Sequence, residues 1–224
     1  MIPWTLLDRA ILPNSQEEIR LYQRGDEFAI RVANYELMNS RVHGSEEALA
    51  ELALAKLAGR APLRVLIGGL GLGYTLAAAL RGLDSRGEAI VAELVPAVVQ
   101  WNRGPLAPLA GRPLDDPRTR IVEADVFRVI RETRAGFDAI LLDVDTGPRA
   151  LTHEDNRRLY DAAGLRAAHD ALRPRGVLAI WSGAPDPAFA RRLRDAGFAT
   201  EEVRARARGE GGKAHYIVWL AQRS

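Results

Sequence analysis

Apolar and polar positions change their rhythm at Arg64. Before it, residues 19–38, "IRLYQRGDEFAIRVANYELM", hold short β-rich runs broken at Arg24-Gly25-Asp26 and again near Ala33-Asn34. Such runs predict a small antiparallel unit of two or three strands. Residues 43–59, "HGSEEALAELALAKLAG", repeat leucine at helical spacing, with glutamates in the first turn. Ser45 is expected to cap this helix and Gly59 to stop it. The boundary falls between a small N-terminal β-rich element, 1–42, and a main domain, 43–224.

From Arg64 onward, apolar stretches of four to six residues alternate with helix-like segments. "RVLIG" precedes "YTLAAALRGL", "EAIVAEL" precedes "PAVVQWNRG", and "TRIVEAD" precedes "VFRVIRET". "FDAILLDVD" precedes "NRRLYDAAGLRAAHDALR", and "GVLAIWSG" precedes "DPAFARRLRDAGF". Continuous apolar strands separated by helices predict a parallel sheet covered on both faces. The ending differs: "TEEVRARAR", a turn "GEGG" and "AHYIVWLAQ" join without a helix, which predicts an antiparallel pair. The expected fold class is therefore α/β: a Rossmann-like, doubly wound, mostly parallel sheet ending in an antiparallel β-hairpin, with the small N-terminal β-rich element in front.

Composition narrows the chemistry. The 224 residues are 47% hydrophobic and 27% charged, with a formal net charge of +2, which fits one substantial core and gives no reason to expect nucleic acid as a partner. With no cysteine, disulfides, thiolate metal sites and Cys nucleophiles are excluded. The four histidines, His43, His153, His169 and His215, show no paired spacing for a metal, and none is expected. The first residues include acids and lack a long apolar core, and no stretch approaches the ~20 apolar residues of a membrane helix. A soluble cytoplasmic protein is the expectation. The basic stretch 204–215 reads as a solvated hairpin turn.

The first strand of the series runs into "GGLGLGYT", with Gly69, Gly71 and Gly73 at alternate positions. Ligands of open α/β sheets sit beyond the carboxyl ends of the strands. Gly68 to Thr75 has the spacing of a phosphate-binding loop, but Tyr74 stands where its lysine belongs. A dinucleotide motif needs glycine at 74 as well. The remaining pattern, G-x-G-x-G, lets backbone approach a charged, phosphate-free ligand, which suits S-adenosylmethionine or a relative. Glycines serving strand–helix packing alone is the competing reading.

The acids at later strand ends favour the nucleoside. Glu93 ends the second strand, 20 residues after Gly73, at the spacing of a ribose acceptor. Asp125 ends the third strand, where it is expected to accept from an adenine amino group, and Asp143 and Asp145 end the fourth. Expected cofactor-binding residues are thus Gly69, Gly71, Gly73, Glu93, Asp125 and Asp143. Trp181 and Ser182, at the end of the fifth strand, are candidates for an acceptor pocket.

These segments resemble the class I S-adenosylmethionine-dependent methyltransferase fold and, within it, the spermidine synthase-like branch of aminopropyltransferases. "VLIGGLGLG" is similar to that branch's glycine motif, "VAELVPAVVQ" to its ribose-binding strand, "EADVF" to its adenine-side acid and "FDAILLDVDTGP" to the strand with its catalytic aspartate. The resemblance implies that Glu93 holds ribose, that Asp125 meets adenine, that Asp143 faces an acceptor amine, and that the protein tends to pair as a homodimer. There are departures: Leu72 stands where the branch carries an aspartate, Thr146 stands where it has a second acid, and Ser45-Glu46-Glu47 lies near its aromatic-Gln/His-Glu triplet.

Transfer from a sulfonium is an in-line displacement that depends on near-attack geometry, and a carboxylate can orient an amine nucleophile and take its proton. Asp143 and Asp145 are the catalytic candidates, with Asp145 read equally well as the residue that opens the turn "DTGP". Because Leu72 replaces the amine-end acid, the leading expectation is methyl transfer from S-adenosylmethionine to a small-molecule amine or hydroxyl. Aminopropyl transfer from decarboxylated S-adenosylmethionine to a polyamine is the alternative, and a non-catalytic nucleoside-binding protein is the second.

Overall fold

A computed structural model describes residues 2–13, 15–144, 156–206 and 215–224. Its N-terminal part is a four-stranded antiparallel sheet in the order β1 (Thr5–Ile11), β2 (Glu18–Arg24), β3 (Glu27–Val32), β4 (Tyr35–Asn39). The breaks at Arg24-Gly25-Asp26 and Ala33-Asn34 fall at its turns as expected. The additional strand is β1, an edge strand whose residues are nearly all exposed. With neither face buried, it carries none of the alternation that marks a half-buried strand.

Helix α1 (Gly44–Ala55) follows. Ser45 does not cap it: the cap position belongs to His43, while the Ser45 side chain is buried and donates to Glu46 Oε2 at 2.6 Å. A serine one residue inside the helix is past the position from which its oxygen can accept a free N–H.

The main sheet has seven strands in the order β10–β11–β9–β8–β5–β6–β7. These are β5 (Arg64–Gly68), β6 (Glu88–Glu93), β7 (Thr119–Glu123), β8 (Phe137–Leu142), β9 (Leu172–Ser182), β10 (Phe198–Arg206) and β11 (His215–Arg223). The strands β5 to β9 pair in parallel, and β11 pairs antiparallel with both β9 and β10. Every residue of β8 is buried. Alternate side chains serve opposite faces. Ala139 and Leu141 join the core shared with α1 and the N-terminal sheet, and Ile140 and Leu142 join the core on the other side. Strand order reverses between β5 and β8, so the chain leaves both strands at the switch point where α/β folds bind ligands.

The helices are α2 (Tyr74–Gly82), α3 (Pro96–Arg103), α4 (Val126–Arg131), α5 (Arg157–Tyr160), α6 (Ala162–Ala171) and α7 (Pro187–Asp195). The apolar pattern from Arg157 to Ala171 reads as one helix, but the chain breaks it at Asp161. The Asp161 carboxylate accepts from the N–H groups of Ala163 and Gly164 at 2.8 and 2.7 Å and starts α6 afresh. Gly164 sits in that corner. A Cβ there would lie against the Arg158 carbonyl and 2.8 Å from that of Leu159. Helix propensity alone credits Gly→Ala with about 1 kcal/mol of stabilisation. We expect the opposite: Gly164→Ala should destabilise the chain by about 2–4 kcal/mol in denaturant titrations, because backbone cannot yield to the methyl group.

At the end of the sheet away from that switch point, Asp138 is buried between two arginines. Arg60 and Arg173 each donate to it at 2.7 Å, and the Arg64 N–H donates at 2.9 Å. This cluster ties the starts of β5 and β8 to Arg173, near the start of β9.

Candidate active site

Between β5 and α2 the chain turns through Gly69, Gly71 and Gly73, all with left-handed φ of 83°, 53° and 87°. That conformation favours glycine at all three, and two of them also have close neighbours. A Cβ on Gly71 would lie 2.8 Å from Met38 Sδ of β4, and one on Gly73 would lie 3.1 Å from Asn102 Oδ1 of α3. Asn102 itself is buried and donates to the carbonyls of Gly71 and Val98 at 2.8 and 2.9 Å, which fixes the turn to α3.

Glu93, at the end of β6, points at this turn. Its carboxylate accepts from the N–H groups of Leu70 and Val95, both at 2.8 Å. Burial pushes its pKa up, and backbone N–H donation from Leu70, Val95 and Leu94 pulls it down. The carboxylate is 7% exposed, and what remains open faces the cavity described below.

Asp143 follows β8 directly. Its own N–H donates to the Gly68 carbonyl at 3.3 Å, and its carboxylate accepts from the Thr75 hydroxyl at 3.0 Å. Burial pushes this carboxyl up to about 6, against the Thr75 hydrogen bond. Glu46 joins it from the first turn of α1, where burial and then the charge of Asp143 push the Glu46 carboxyl up to about 7. The Ser45 hydroxyl, the helix backbone and His43 pull the other way. Two half-buried carboxyl groups that repel one another cannot both ionise cheaply.

This pair has a signature in stability. Both groups titrate near 4 in an unfolded chain, so between about pH 4 and pH 7 the folded chain holds more protons than the unfolded one. Their contribution is therefore fully favourable below about pH 4 and is lost as pH rises through the folded values. Glu46→Gln is expected to gain on the parent as pH rises from 5 to 8, by on the order of 2 kcal/mol in chemical denaturation.

The pair opens on a cavity of about 670 Å³ between the N-terminal sheet and the C-terminal rim of the main sheet. Ile30, Val32 and Met38 give it apolar lining, and the glycine turn, Glu93, Asp143 and Trp181 line it as well. Five carboxylates line it, Glu17, Glu36, Glu46, Glu93 and Asp143, and no Lys, Arg or His does so among the described residues. Since basic residues outnumber acidic ones in the chain, 31 to 29, that segregation is local. The Trp181 ring lies 4.8 Å from that of Tyr216, and its Nε1 is buried with no hydrogen-bond partner among the described residues.

The turn thus brings Gly69, Gly71, Glu93 and Asp143 together around the cavity, with Gly73 starting α2 behind them. Asp125 stands apart. It does not line the cavity; its carboxylate caps α4 through the Phe127 N–H at 2.8 Å and pairs with Arg158. Ser182 also stays outside, its hydroxyl donating to the Ala184 carbonyl at 2.8 Å. Asn156, ahead of α5, does reach the cavity wall. Asp145, His153 and residues 207–214, where a hairpin turn was expected, lie outside the described residues. Sequence reasoning passed over Glu46 and Thr75 as site residues, and for Glu46 the signal was its place in the triplet Ser45-Glu46-Glu47.

A family model described as the spermine/spermidine synthase domain matches residues 43–187. The chain belongs to this family. The polyamine aminopropyltransferase 1 of Streptomyces coelicolor is 31% identical over 206 residues, covering 88% of this chain and 35% of that protein. The polyamine aminopropyltransferase of Mycobacterium tuberculosis is 27% identical over 176 residues, covering 77% and 32%. The chain thus spans about a third of the length of these relatives. Among solved structures, the spermidine synthase of Thermotoga maritima superposes with a TM-score of 0.75 at 20% identity, over 98% of this chain and 73% of that one. A spermidine synthase in complex with the transition state analogue AdoDATO gives 0.74 at 20% identity, over 98% and 72%. These superpositions establish the shared fold: a mostly parallel α/β sheet with an antiparallel N-terminal sheet.

Membership of the spermine/spermidine synthase family overturns the expectation of methyl transfer. That expectation rested on Leu72. Leu72 is a buried apolar side chain on the cavity wall, and Glu46 of α1 brings a carboxyl group to the same cavity. Among the described residues no helix is long and apolar enough to cross a membrane.

Proposed function

We propose that the chain transfers an aminopropyl group from decarboxylated S-adenosylmethionine to an amine of the polyamine class. The observation that carries this reading is the cavity wall with five carboxylates and no described basic side chain, set around Asp143. Such a wall repels anions and attracts polycations. Family membership and the names of the relatives support the same substrate class.

In this reading the adenosine lies along the glycine turn, with its ribose hydroxyls donating to Glu93. The acceptor enters as an ammonium ion and gives a proton to Asp143. Its nitrogen lone pair then attacks the propyl carbon bonded to sulfur, a C–N bond forms as the C–S bond breaks, and the bonding pair leaves on sulfur as the neutral thioether of methylthioadenosine. The alkylated nitrogen holds the positive charge that the sulfur gives up. A base whose proton affinity is raised into the neutral range suits this step better than an ordinary carboxylate. The apolar lining of Ile30, Val32 and Met38 fits the methylene segments of a polyamine.

The test is to incubate the protein with decarboxylated S-adenosylmethionine and a panel of diamines and polyamines, and to follow products by mass spectrometry. Methylthioadenosine and an amine heavier by one aminopropyl group, in equal amounts, are expected. Absence of both across the panel contradicts the reading.

A further inference from the structure

We propose that Glu46 is the carboxylate that seats the primary ammonium of the donor's aminopropyl chain, and that it thereby selects the decarboxylated nucleoside. The inference rests on the aminopropyl-transfer reading above. The glycine turn offers no acid of its own, since residues 69–73 are Gly-Leu-Gly-Leu-Gly. Glu46 lines the cavity from the first turn of α1, facing Asp143 and near Tyr74, which begins α2. It is therefore on the glycine turn's side of the site, where the sulfur end of the nucleoside must lie.

The other lining carboxylates have different work or a different place. Glu93 is held by backbone N–H groups, Glu36 pairs with Arg31 at 3.2 Å, and Glu17 is exposed beyond the N-terminal sheet. The adjacent Glu47 pairs with Arg81 and His43. Glu46 accepts the Ser45 hydroxyl and has no cation within ion-pair distance among the described residues. A half-buried carboxylate close to a second carboxylate, with only His43 acting against that repulsion, gains from the positive charge of a bound ammonium.

The chemistry divides the two acids. The acceptor amine must lose a proton to attack, so it needs a base, Asp143. The donor's ammonium remains charged from binding to release, so it needs a carboxylate opposite it, and its charge favours the ionised form of Glu46. Intact S-adenosylmethionine carries a carboxylate on the same carbon as its amine, and that carboxylate would face Glu46 and be repelled.

Isothermal calorimetry with methylthioadenosine, decarboxylated S-adenosylmethionine and S-adenosylmethionine, on the parent protein and on Glu46→Gln and Glu46→Asp, tests this. The parent is expected to prefer the decarboxylated donor over S-adenosylmethionine by about tenfold or more, and Glu46→Gln to lose at least about tenfold of that preference. Methylthioadenosine, which has no ammonium, should bind parent and Glu46→Gln alike, and Glu46→Asp should retain most of the preference. An unchanged preference in Glu46→Gln overturns the inference alone, as does a loss of methylthioadenosine binding confined to that variant. Failure of the parent to bind methylthioadenosine overturns the aminopropyl-transfer reading and the inference with it.

Discussion

Asp143→Asn is expected to lower kcat by about 10²–10⁴-fold, the range of a lost general base. The amide keeps an oxygen for the Thr75 hydroxyl, so the local geometry has what it needs to persist. Because it also removes a half-buried charge whose ionisation is disfavoured, the variant should unfold no more easily than the parent. Two readouts separate lost chemistry from lost structure. Methylthioadenosine affinity should change little, and the rise of kcat with pH near 6 should flatten, because the group that titrates there is gone. If Asp143→Asn turns over at parental speed, proton transfer goes elsewhere.

Glu93→Ala should be the most damaging single change to the fold of the site. The glutamate satisfies the N–H groups of Leu70 and Val95 at the mouth of the glycine turn. Leaving two buried donors unpaired costs about 1–3 kcal/mol each, or about 2–6 kcal/mol together, with the lower figure applying where water enters from the cavity. For a chain of this size that is a fall in Tm on the order of 10 °C. The turn that should cradle the nucleoside loses its anchor along with the ribose acceptor, so methylthioadenosine binding should disappear from calorimetry at concentrations that saturate the parent. Glu93→Gln keeps one acceptor oxygen and should fall between the two. Parental stability in Glu93→Ala would mean that solvent already serves those N–H groups.

The main sheet was legible in sequence because parallel strands buried on both faces write unbroken apolar runs: "FDAILL" of β8 is buried at every residue. The glycine turn was legible for a backbone reason, since the left-handed φ of Gly69, Gly71 and Gly73 favours glycine over other residues. What escaped lacks a local signal. β1 is an exposed edge strand with no alternation to read. The break between α5 and α6 depends on Asp161 choosing two N–H groups over a continuing helix. The helix-capping work of Asp125 was not legible either: its position ends a strand and also begins α4, where the carboxylate caps the helix and pairs with Arg158. Glu46 shows the limit most clearly. Its meaning comes from Asp143, which the fold brings to it from a distant strand, and no window of sequence contains both. Reading Leu72 as a missing acid produced the methyl-transfer expectation that family membership corrects.

A crystal structure of the protein with methylthioadenosine and a diamine bound together puts the central idea to the test most directly. The account predicts the ribose hydroxyls on Glu93, the thioether sulfur beside the glycine turn, and an amine nitrogen within hydrogen-bond reach of Asp143. A nucleoside seated outside this cavity, or an amine bound with Asp143 out of reach, would contradict it.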